Sequence, residues 1–174
     1  GLSGVGHGDP QRRGELRKLV LRAGELYQKA ELPDRAEAVL ALGGAWAAAA
    51  EVALRGGRKE RAAELFLEAR ESLRAAALLA ELGRTQEAER LLAEHHRDKG
   101  DDAEAARHFE AAGDLLAAGD LYRLMERCDL AGGCYERHGD SLQAAEMFRA
   151  ASDWERAAAC YERAGRFREA AAVL

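Results

Sequence analysis

Alanine stands at Ala23, Ala36, Ala49, Ala62, Ala75 and Ala88, and again at Ala105, Ala118, Ala131, Ala144, Ala157 and Ala170, a step of thirteen residues broken once by a step of seventeen. Four residues beyond these alanines comes a large apolar side chain: Tyr27, Leu40, Phe66, Leu79, Leu92, Phe109, Tyr122, Tyr135, Phe148, Tyr161 and Leu174, with Ala53 the small exception. Residues four apart share one face of a helix. A thirteen-residue unit holds one helix of about ten residues and a tight turn. The pattern therefore predicts a stack of short helices, in which each unit buries its apolar face only against its neighbours.

With each unit numbered 1 to 13 and the alanine at position 5, position 8 is apolar nearly throughout, from Leu26 to Val173, with His108 the exception. Positions 5, 8, 9 and 12 make the apolar stripe of an amphipathic helix. Position 1 is usually charged, and its aspartates Asp101, Asp114, Asp140 and Asp153 are candidate N-caps. Gly57, Gly83, Gly113, Gly139 and Gly165 close every second unit, as expected of glycine in a left-handed helix stop. Units ending in these glycines are termed A helices, and the units that follow them B helices. The change of step comes from four extra residues at 97–100, after His96, which add either one helical turn or a longer loop. A slight change of superhelix direction is expected there.

Hydrophobic residues are 48% of the chain but aromatic ones only 6%, so alanine supplies the difference and helix axes can approach closely. Lysine and arginine number 26 against 31 acidic residues, interspersed, which leaves no basic field for nucleic acid. No apolar run reaches the roughly 18 residues of a membrane span, and the three cysteines read as free thiols. A cytoplasmic protein without membrane insertion is expected. Residues 1–9, GLSGVGHGD, read as a flexible linker or cloning remnant, and 10–174 as the repeat array.

Trp154, Ala157, Ala158 and Tyr161, then Cys128, Ala131, Gly132 and Tyr135, and Trp46, Ala49, Ala50 and Ala53 stand at the spacing W-x2-L-G-x2-Y; Ala62, Phe66 and Ala69, and Ala144, Phe148 and Ala151, stand at A-x3-F-x2-A. On these residues the chain resembles the tetratricopeptide repeat family over residues 19–174, with a period of twenty-six rather than thirty-four and without the family's repeat-ending proline. The recurring A-A-x-x-Y-E-R-A-G is also similar, more weakly, to the helical solenoids of SNAP-type and coat-type vesicle adaptors. The resemblance implies an all-α fold, a right-handed α-solenoid of about six antiparallel hairpins, and a partner protein or peptide held on a concave face. That face would be lined by A-helix positions 3, 7, 10 and 11, and its candidate contacts are Leu54, Arg55, Leu73, Arg107, Glu110, Glu136, Arg137, Glu162 and Arg163. The charged members are also placed to pair with one another.

His95 and His96 adjoin Asp98, Asp101 and Asp102, but adjacent histidines diverge by about 100° on a helix and read as a solvated helix end. Cys134, Cys160 and His108 share position 8 in successive A helices, too far apart to bind one ion, and the two thiols read as core. No P-loop, zincin, nucleophile-elbow or EF-hand spacing is present. The expectation is a binding scaffold or adaptor with no cofactor and no catalysis of its own. Two other readings remain: a structural spacer or self-assembly module, and a regulatory segment attached to an enzyme encoded elsewhere. The last helix stops after Val173 and Leu174 without a polar capping unit, so the expectation is a segment of a longer chain whose continuation covers this apolar face, or a homo-oligomer in which another molecule covers it through the C-terminal end.

Overall fold

A computed structural model describes residues 10–174, and the segment 1–9, read above as a linker, lies outside the described residues. Twelve helices follow one another: α1 (Pro10–Lys29), α2 (Pro33–Leu42), α3 (Trp46–Arg55), α4 (Lys59–Glu68), α5 (Ser72–Glu81), α6 (Thr85–Asp98), α7 (Asp102–Ala112), α8 (Leu115–Leu124), α9 (Cys128–His138), α10 (Ser141–Ala150), α11 (Trp154–Arg163) and α12 (Phe167–Val173). No strand occurs among the described residues. The helices fall into two compact units, one ending at Gly83 with α1–α5 and one beginning at Arg84 with α6–α12. In each unit every helix packs on the next in the chain, so each is an all-helical stack of hairpins.

The thirteen-residue step is fixed by a turn of three residues. In α3–α4, Gly56 is the C-cap, Gly57 takes φ +74°, and Arg58 opens the next helix. The Gly57 N–H donates to the Leu54 carbonyl and the Arg58 N–H to the Ala53 carbonyl, both at 3.0 Å, the paired bonds of a Schellman stop. The same pair recurs where glycine is absent: Glu31, Arg70 and Glu126 at φ 58° and Ser152 at φ 60° occupy the left-handed position. The residue after the turn then begins the new helix. Asp101, Asp114, Asp140 and Asp153 accept N–H bonds from Glu104, Ala117, Gln143 and Arg156 at 3.1–3.4 Å, as their position predicts. The four extra residues continue α6 by one turn, with Gly100 taking the left-handed stop at φ +76°.

The register alanines are buried from Ala36 to Ala170, none more than 3% exposed. Ala23, in α1, is only half-buried. Position 6, immediately after the alanine, is the seat for the next helix. A Cβ on Gly119 of α8 would lie 2.9 Å from the Tyr135 ring of α9, and one on Gly132 of α9 would lie 2.8 Å from the Phe148 ring of α10. In the N-terminal unit Gly24 of α1 is filled in the same way by Leu40 of α2. Thus position 9 of each of these helices rests on position 6 of the helix before it. Two position-9 rings, Phe66 of α4 and Phe148 of α10, are capped by guanidinium groups from the following helix, Arg74 over Phe66 at 4.0 Å and Arg156 over Phe148 at 4.2 Å.

Where position 6 is not small, a partner compensates. Glu37 of α2, 8% exposed, is reached by Arg58 and Arg61 at 2.9 Å each. Glu89 of α6 takes a 2.7 Å contact with Nδ1 of His108, which accounts for the single polar residue at position 8.

Candidate functional site

The candidate contacts fall in two units, three of them in the N-terminal unit and six in the C-terminal one. In the N-terminal unit Leu73 is 50% exposed and Leu54 is half-buried. Arg55 donates from Nη2 to Oε1 of Gln28 at 2.7 Å and from Nε to its own helix at the Glu51 carbonyl.

In the C-terminal unit the charged set becomes a ladder. Arg137 of α9 pairs with Glu110 of α7, and Arg163 of α11 pairs with Glu136 of α9. Each rung joins position 11 of one A helix to position 10 of the A helix before it, the rung that Arg55 and Gln28 make in the other unit. Glu110 also accepts from the Tyr122 hydroxyl at 3.4 Å. Arg107 does not join the ladder; it pairs with Glu104 of its own helix at 2.7 Å. The Glu162 side chain, at position 10 of the last A helix, is exposed and has no ion-pair or hydrogen-bond partner among the described residues. These carboxylates and guanidinium groups are thus largely committed to one another, at one-third to two-thirds exposure, where such pairs are worth about 0.2–1 kcal/mol each.

The position-8 thiols are core groups. Cys134 and Cys160 are 2% and 0% exposed, and Cys160 lies 3.8 Å from Oε1 of Glu136. Burial, reinforced by the Glu110 carboxylate against the opposing pull of Arg137, pushes the Cys134 thiol up to about 11. Burial likewise raises Cys160, and Cys128 is the more accessible thiol. His95 and His96 are half-buried rather than solvated, because the extra turn of α6 lies against α7 and the His96 ring stacks on His108 at 5.3 Å. Burial, then the positive charge of Lys99, lowers the His95 pKa. Among the described residues no group of three or more His, Cys, Asp or Glu is placed to hold a metal ion, and no helix is long and apolar enough to cross a membrane.

What the sequence reading missed is the direction each helix faces. Position 8 of α11 touches position 10 of α9, and position 9 of α9 rests on α8, so positions 8, 9 and 11 look back toward the preceding hairpin. Among the described residues no hairpin precedes α1. Its inner face is covered by α2, with Val20 against Gly43 and Gly24 against Leu40. Its outer face shows Leu16, Leu19 and Leu26 at 60%, 67% and 53% exposure, with Ala23 between them. These four lie at i, i+3, i+7 and i+10, one continuous apolar stripe. At the other end, Ala171 is exposed at position 6 of α12, where Ala145 and Ala158 are buried, and Val173 and Leu174 lie beside it, half-buried and 82% exposed. Trp154 of α11, 48% exposed, borders the concavity shared with Tyr161, Val173 and Leu174.

No family model matches the chain, and no curated relative matches it. Among solved structures it is similar to BtubC (BKLC) from P. vanneervenii, at 20% identity over 95% of this chain and 80% of that one, with a TM-score of 0.31. It is also similar to the MamA protein, at 17% identity over 92% of this chain and 88% of that one, with a TM-score of 0.32.

Proposed function

We propose that the protein is a helical-repeat scaffold that binds another protein by accepting one of its helices on the outer face of α1, and that it carries no reaction of its own. The observation behind this reading is the stripe Leu16, Leu19, Ala23 and Leu26, exposed although the equivalent alanine and position-8 residue of α3, α9 and α11 are at most 3% exposed. A face that its siblings bury calls for a helix, and an apolar stripe at this spacing is the recognition surface of helix-on-helix docking. The candidate face drawn from A-helix positions 10 and 11 is a weaker claimant, because Glu110, Arg137, Glu136 and Arg163 satisfy each other. Leu54 and Leu73 remain free to extend the docking area within the N-terminal unit.

A photo-reactive phenylalanine in place of Leu19 tests the reading. Irradiation in a lysate of the native host should yield a protein adduct, while the same probe at Leu124, which is 70% exposed on α8, should not yield that adduct. Equal adducts from both positions, or none from Leu19, would overturn it.

A further inference from the structure

We draw no further inference here: the strongest candidate, the concavity of the N-terminal unit lined by Arg17 and Leu21 of α1, the first turn of α3 at Trp46 and the turn between α4 and α5, carries nothing, because Arg17 and Arg70 share its lining with Glu68 and Glu71, so that charge selects no occupant and nothing in the structure shows what covers it.

Discussion

Adjacent glycines in α9 allow the seating of one helix on the next to be measured apart from helix propensity. Gly132 and Gly133 lie in the interior of the same helix, so alanine gains about 1 kcal/mol of propensity at either. Their surroundings differ. A Cβ at 132 would lie 2.8 Å from two atoms of the Phe148 ring, which is fully buried and cannot retreat, whereas a Cβ at 133 has nothing within 4 Å. Overpacking a full core costs about 1–3 kcal/mol. Gly133→Ala should therefore stabilise by about 1 kcal/mol, while Gly132→Ala should range from neutral to destabilising by about 2 kcal/mol. The difference between the two variants, about 1–3 kcal/mol, is the steric term alone. Urea unfolding followed by far-ultraviolet circular dichroism measures both midpoints. Phe148→Leu combined with Gly132→Ala should be less harmful than the sum of the two changes. Equal midpoints for the two alanine variants would refute the seating of position 9 on position 6.

Turn chemistry gives a second test: Glu126→Gly and Ser152→Gly should stabilise by up to about 1 kcal/mol, since a left-handed non-glycine residue costs about 1–2 kcal/mol and glycine returns part of that as chain entropy; Gly57→Ala, at φ +74°, should lose about 1–2 kcal/mol in the same urea assay. Alkylation at pH 8 should label Cys128 first, leaving Cys134 and Cys160 protected until the chain unfolds, because burial holds both thiols protonated; mass spectrometry of the time course reads the order. Glu37→Ala should destabilise by about 1–3 kcal/mol through loss of the Arg58 and Arg61 contacts, measured by the same melts. The side-chain bond from Arg156, with its backbone N–H, holds the Asp153 carboxyl below its usual 3.8; its stabilisation is full above that value and is lost as the pH falls through the lower folded value, so acid titration should be steeper for the unmodified chain than for Asp153→Asn, which keeps a capping oxygen.

Much of the fold is legible in the sequence because the register alanine, the apolar residue four places on and the capping aspartates each report a local requirement. The seat at position 6 was hidden because its occupants vary: Gly119 and Gly132 are small, yet Glu37 and Glu89 stand at the same place, paired by residues of a neighbouring helix that no local pattern reveals. The left-handed turns at Arg70, Glu126 and Ser152 were hidden for a similar reason, since the helices on either side impose a conformation that those residues do not favour. α1 begins at Pro10, nine residues before the first thirteen-residue unit, because Leu16 and Leu19 extend its stripe without repeating the alanine step. For the candidate site, the recurrence of Glu at position 10 and Arg at position 11 could have been read as a rung between successive A helices. Its spacing of 27 is one more than the period. The exposed face of α1 could not be read in this way, because Leu26 stands at a position that every other A helix buries or half-buries.

Disulfide trapping tests most directly whether position 9 of a helix rests on position 6 of the helix before it, as Phe148 rests on Gly132. In a background where Cys128, Cys134 and Cys160 are replaced by alanine, one variant carries Gly132→Cys with Phe148→Cys and a control carries Gly133→Cys with Phe148→Cys. Oxidation should close an intrachain disulfide in the first variant and not in the control. Equal closure in both, or none in the first, would contradict it.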